Sequence, residues 1–159
     1  VSPNTAERIL DEALDSFSSR GYDATSLDAM AKELEISKQT ILYWYPSKEA
    51  LMAAVIERSA NELSAVLEDA LAQAGEGWDR VEAIVRSVFR LAARRPALLG
   101  LLREVARLGP PAATQMTEAL DPLVQRATGF LSDEMDAGRM RKSDPRLLLL
   151  AMYSTVIGM

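Results

Sequence analysis

Cysteine and histidine are both absent from this 159-residue chain. Without cysteine there is no disulfide framework and no thiolate metal site, which fits a reducing cytoplasm as the expected location. Without histidine the commonest general base and metal ligand is gone. Catalysis would need a carboxylate pair or a lysine base, and no such constellation stands out. The expectation is therefore a protein that is not an enzyme and carries no metal and no cofactor. Glycine and proline are sparse, at eight and seven residues, and aromatics make up only 6%. With 48% apolar residues this is the composition of a folded helical protein of one or two small domains. No stretch approaches the ~18 uninterrupted apolar residues of a membrane span. Nothing at the start has the pattern of a signal peptide. The first residue is Val1 rather than methionine, so a trimmed start is expected.

A positive excess is missing too. The net charge is −5. Residues 1–50 hold five Lys/Arg against nine Asp/Glu, while residues 51–159 hold thirteen against fourteen, so the acidity concentrates in the first third. Asp11, Glu12, Asp15 and Asp23 account for much of it.

What is present is a stretch with two short helices around a tight turn, Ser26 to Lys48, SLDAMAKELEISKQTILYWYPSK. Leu27, Met30, Ala31 and Leu34 recur at helical spacing. Glu35-Ile36-Ser37 interrupts the pattern, and Ser37 suits the N-cap of a second helix because its hydroxyl accepts from a free backbone N–H. Helices of about two turns joined by three or four residues form a helix-turn-helix, whose second helix enters the major groove of DNA. At ~100° per residue, Ile41 and Tyr45 share the inward side of that helix, and Gln39 and Tyr43 share the outward side. Lys38 and Leu42 flank the outward pair on one edge, Thr40 and Trp44 on the other. Gln can pair with adenine, Lys can reach guanine or a phosphate, and a leucine methyl can meet thymine. Thr and Tyr hydroxyls suit phosphates. Ser47 is expected to cap the next helix, with Lys48 at its positive end, where a phosphate would bind. Trp44 and Tyr45 also read as packing residues, and single lysines as solvated charges.

These residues, with RILDEALDSFSSRGYDATS before them, resemble the DNA-binding signature of the TetR family of transcriptional regulators. The likeness runs without a gap from about Arg8 to Leu51. It implies an all-α fold with an N-terminal three-helix, helix-turn-helix head (residues 1–50). A long helix joins the head to a C-terminal helical effector-binding and dimerisation domain (51–159). It further implies a regulator, expected to repress, that leaves a palindromic double-stranded operator when a small-molecule effector binds. The implied DNA contacts are Ser26, Ser37, Lys38, Gln39, Thr40, Leu42, Tyr43, Trp44 and Lys48. Ser26 serves equally as a cap. Two positions depart from the family pattern. Glu35 stands where glycine is usual, and a left-handed turn there would carry roughly 1 kcal/mol of strain. Leu42 stands where a phosphate-binding tyrosine is usual, with Tyr43 adjacent.

Taken in order, the first helix is expected to start near Asn4, with Glu7 completing a capping-box-like pair. Gly21 ends it, and Thr25 or Ser26 caps the next. A long helix is expected from Lys48 to about Ala74, stopped by Gly75-Glu76-Gly77. Further helices are expected at 78–94, 97–108, 111–138 and 145–158, with Pro122 and Gly129 kinking or breaking the third of these.

Val85, Phe89, Leu98, Leu101, Leu102 and Met116 are the candidate effector-pocket residues, although an apolar stripe is first of all packing. Arg86, Arg90 and Arg94 form a single row that could take an anion, or simply a solvated face. Asp144 and Pro145 read as N-cap and N1 of a last helix. That helix, LLLLAMYSTVIGM, is apolar on all sides and needs cover on both. By resemblance the 111–138 and 145–158 helices form a homodimer, and one further helix is expected beyond Met159. The expected route of control is movement of the 78–108 helices against the long helix. The competing reading is a helical protein–protein adaptor whose helix-turn-helix is only structural.

Overall fold

The computed structural model describes residues 3–73 and 77–157. Among these residues it contains eight helices and no strand: α1 (Pro3–Arg20), α2 (Leu27–Glu33), α3 (Lys38–Trp44), α4 (Lys48–Gln73), α5 (Trp78–Arg94), α6 (Pro96–Leu108), α7 (Ala112–Asp136) and α8 (Pro145–Ile157). No described helix is long and apolar enough to cross a membrane.

The helix limits follow local chemistry. α1 already begins at Pro3, so Asn4 lies inside its first turn instead of capping it; proline's fixed φ and missing N–H suit a first helical position. Gly21, at φ +89°, ends it. Ser26, not Thr25, caps α2, its hydroxyl oxygen accepting from the Ala29 N–H at 3.1 Å. Thr25 is buried and turns its hydroxyl onto the Gly21 carbonyl at 2.8 Å. Asp144 caps α8, accepting from the Arg146 N–H at 2.8 Å. Of the Gly75-Glu76-Gly77 stop, only Gly77 lies within the described residues.

Of the kink or break expected at Pro122 and Gly129, the break does not occur: α7 runs unbroken through both. Pro122 can leave the carbonyl four residues earlier, at Glu118, without its helical donor. Both residues are exposed, so water can serve that carbonyl, and the ring has open space on its own side.

The described residues group into two compact units. One comprises the residues up to Ser59 with Arg95–Met116; the other comprises Ala60–Arg94 with the residues from Thr117 onward. This differs from a contiguous division at residue 50, because α6 joins the head. The reason is local. Gly100 brings α6 so close to α1 that a Cβ there would sit 2.7 Å from Ser18 Cβ and 2.9 Å from the Ser18 carbonyl oxygen. Leu101 and Val105 of α6 are buried in the same unit as Ile9, Leu14 and Phe17 of α1. One turn further along α6, the buried Glu104 carboxylate accepts from the Tyr22 N–H at 2.6 Å and from the Arg107 guanidinium at 2.8 Å through each oxygen.

In the second unit Leu67 and Ala70 of α4 and Leu131 and Met135 of α7 are buried. Arg126 reaches Glu68 at 2.5 Å, and the Arg80 guanidinium lies over the Phe130 ring at 5.6 Å. Glu134 is buried and accepts from Arg139 at 2.7 and 2.8 Å; those bonds hold its carboxyl below the usual carboxylate range against the opposing effect of burial.

Candidate nucleic-acid interface

The turn between α2 and α3 is held from three sides. Glu35 takes the left-handed conformation, φ 55°, that a reversal this tight demands. The Ile36 N–H donates back to the Ala31 carbonyl at 3.0 Å. Arg8 reaches across from α1 to donate to the Leu34 carbonyl at 3.0 Å, closing the free end of α2. Nothing in the local sequence around Leu34 signals that arginine, because it lies 26 residues upstream.

α3 is then fixed at both ends. The Ser37 hydroxyl oxygen accepts from the Thr40 N–H at 3.1 Å and shares a hydrogen bond with the Thr40 hydroxyl at 2.9 Å. Ile41 is fully buried, Leu34 is buried beside the turn, and Tyr45 is half-buried. Tyr45 also closes the helix, its N–H donating to the Ile41 carbonyl at 2.8 Å. The inward side is therefore Ile41 and Tyr45, which leaves Gln39 and Tyr43 outward. Gln39 is exposed and Tyr43 keeps 72% of its surface open. A tyrosine that open on a short helix contributes little to the core, so its side chain is available to a partner.

The flanking residues differ among themselves. Ser26, Ser37 and Lys38 are exposed, while Thr40, Leu42, Trp44 and Lys48 are half-buried. The Trp44 ring meets Tyr43 edge-on at 5.4 Å, and its Nε1 is buried without a protein acceptor. Lys38 is paired with Asp28 of α2 at 2.8 Å, both side chains well exposed. An exposed pair of this kind is worth at most about 1 kcal/mol and exchanges readily for a phosphate. Ser47 caps α4 as expected, accepting from the Ala50 N–H at 3.0 Å. Lys48 lies over the Tyr22 ring at 4.2 Å. Burial first, and the Glu49 carboxylate second, push the Tyr22 hydroxyl up to about 12.

The acidity of the first third is partly neutralised within the fold. Asp11 pairs with Arg58 at 2.9 Å and Asp23 with Arg107 at 2.8 Å.

Residues 9–55 match the sequence model described as "Bacterial regulatory proteins, tetR family". That span holds the whole helix-turn-helix and the N-terminal end of α4. The head of this chain is thus similar to that of the TetR family of transcriptional regulators. It is 28% identical over 152 residues to the HTH-type transcriptional regulator RutR of Escherichia coli, covering 92% of this chain and 69% of RutR. Its fold is similar to that of FadR from Bacillus subtilis, solved with stearoyl-CoA, at a TM-score of 0.84 and 17% identity over 96% of this chain and 83% of that one. It is also similar to AibR, solved with isovaleryl coenzyme A and operator DNA, at a TM-score of 0.82 and 19% identity over 96% and 83%.

The eight expected effector residues are divided between the two units. Leu98, Leu101 and Met116 are buried, and Leu102 half-buried, in the unit that contains the head. Val85 is half-buried in the other unit, and Phe89 is 43% exposed. Arg86 is exposed and paired with Glu82, while Arg90 donates to the Ser87 hydroxyl at 2.9 Å. None of the eight lines the apolar cavity of about 80 Å³ found within the second unit. Its wall includes Leu67 and Leu71 of α4, Val81 and Ile84 of α5, Leu123, Ala127 and Phe130 of α7, and Leu149 of α8, with the paired Glu68 and Arg126. Leu123, Ala127 and Phe130 recur at helical spacing, so an apolar stripe on α7 was the available signal. Which helix faces would meet it was not.

Proposed function

We propose that this protein is a sequence-specific, DNA-binding transcriptional regulator, a repressor acting as a homodimer and released by a small-molecule effector. The outward pair Gln39 and Tyr43 on a doubly capped helix carries this reading: the core leaves both side chains free while fixing the backbone beneath them. Gln39 reads a base edge and Tyr43 a base or a phosphate. Ser26, Ser37, Thr40 and Lys38 supply backbone contacts, Leu42 an apolar contact, and Lys48 a phosphate contact at the start of α4. Two such helices in a dimer address half-sites about 34–36 Å apart, or a multiple of that, so the operator is an inverted repeat. A duplex target makes the cytoplasm its place of work. Regulation, not catalysis, is its role.

The effector is proposed to enter the second unit. The cavity there is walled almost entirely by carbon, which favours a ligand with an apolar chain, in keeping with the acyl-CoA bound by FadR and AibR. Its present volume is far below the ~300 Å³ at which ligand pockets begin, so binding requires the walls to part. That opening is what couples ligand to DNA. An effector changes operator affinity only by as much as it distinguishes the two arrangements.

The dimer is proposed to form through α7 and α8, where Leu147 and Leu150 stand open. The acidic head supports one competing reading, a helical adaptor that binds protein. Selection of random duplexes against the full chain separates the two. A dyad-symmetric sequence is expected, with Gln39→Ala and Tyr43→Ala each weakening its binding by about 1–3 kcal/mol while the fold holds. Recovery of no inverted repeat would sink the dimeric reader.

A further inference from the structure

Lysine at the start of α4 has an unusual setting. Its Nζ lies 4.2 Å from the centroid of the Tyr22 ring, in the loop between α1 and α2. Tyr22 is itself held at its backbone and its ring. Its N–H donates to Glu104 at 2.6 Å and its ring packs against Phe17 at 5.4 Å. Glu104 in turn is buried and fixed by Arg107, which also reaches Asp23. Loop, α4 and α6 thus meet at one aromatic ring.

We propose that Tyr22, anchored to α6 by Glu104, is a positioning residue that holds the Lys48 ammonium ready for a DNA phosphate. The proposal rests on reading the head as a DNA binder. A free lysine chain loses much of its rotamer freedom when it docks on a phosphate. An aromatic face attracts the ammonium without neutralising it, so the chain is ordered beforehand and the charge remains available. A carboxylate partner would order it too, but would compete with the phosphate, as Asp28 does at Lys38. Because Glu104 belongs to α6, a shift of that helix moves the ring and alters the contact.

The test uses the full chain and two readouts. In the free protein, the ring current of Tyr22 should shift the Lys48 ε-methylene proton resonances upfield. Tyr22→Leu abolishes that shift and Tyr22→Phe restores it. Glu104→Ala reduces it, while Glu104→Gln, which keeps an oxygen for the Tyr22 N–H, restores it. On a fluorescein-labelled duplex recovered by selection, Tyr22→Leu weakens binding by about two- to fivefold. Because the charge remains, the slope of affinity against salt is unchanged. Lys48→Gln lowers that slope by about 0.9, and in its background Tyr22→Leu has no further effect. A normal Lys48 shift in the wild type, or equal losses from Tyr22→Leu with and without Lys48, overturns the proposal while DNA binding stands. A wild type that binds no duplex overturns the DNA reading instead, and the positioning role with it.

Discussion

Glu35 occupies the left-handed region at the turn of the helix-turn-helix, φ 55°, and is exposed. Its Cβ crowds the backbone there, at a cost of about 1–2 kcal/mol that glycine avoids. Glycine also costs more entropy on folding, about 0.5–1 kcal/mol, so the two effects partly cancel. Glu35→Gly is expected to raise the urea-unfolding free energy by up to about 1 kcal/mol, with operator affinity changed little. A fall in stability would mean that the Glu35 side chain makes a contribution its exposure does not suggest. The neighbouring residues show how position on one short helix separates roles. Ile41 and Tyr43 are two residues apart, about 200° around the axis, and one is sealed while the other is open.

At the level of helices, α1 and α6 form the closest packed pair in the head. Alanine is the better helix former, by about 1 kcal/mol over glycine, and on propensity alone Gly100→Ala would stabilise α6. The added methyl would meet Ser18 Cβ and the Ser18 carbonyl at under 3 Å, and the carbonyl belongs to a helix backbone that cannot yield locally. Overpacking of this kind costs about 1–3 kcal/mol, so net destabilisation is expected in urea denaturation. Stability unchanged or raised would show that α6 slides freely on α1.

The same helix pair carries an acid-sensitive link. Bonds from Arg107 hold the Glu104 carboxyl below its usual range, although burial pushes it the other way. A carboxyl lowered in the folded state stabilises fully above its unfolded value, about 4.3, and that stability is lost as pH falls through the lower folded value. The stability gap between wild type and Glu104→Gln should therefore be largest near neutrality and close below about pH 4. A gap independent of pH would show that the charge of Glu104 is immaterial.

For the molecule as a whole, α8 is the feature that calls for a partner. Leu147 and Leu150 keep 64% and 58% of their surface open on a helix whose neighbouring residues are also leucines. Each buried leucine is worth about 1.5–3 kcal/mol, so covering such side chains drives association. If the proposed dimer forms through α7 and α8, Leu147→Glu combined with Leu150→Glu is expected to leave a monomer by sedimentation velocity, with helical circular dichroism kept. Operator binding should weaken with it, because two half-sites are no longer read together. A double variant that remains dimeric would place the interface elsewhere. The chain's net negative charge belongs to this scale as well, since few phosphate neutralisations make for a shallow dependence of binding on salt.

Helix by helix, the amino-acid order determined most of the architecture. Periodicity, caps and stops are local, and Gly21, Ser26, Ser37, Ser47 and Asp144 each act within a turn of where they stand. The face of α3 was legible for the same reason: angle around a helix follows from residue number alone. The first turn of α1 was misread, and the continuity of α7 was left open, because a proline signals start, kink or stop according to which carbonyls it leaves exposed. Only the tertiary structure decided which distant groups meet. Arg8 closing α2, Glu104 tethering Tyr22, the ring under Lys48 and the cavity stripes all join residues whose separation along the chain carries no periodic signal. Side chains brought together by folding leave no local pattern to read, so the place of α6 in the head is set by tertiary packing alone.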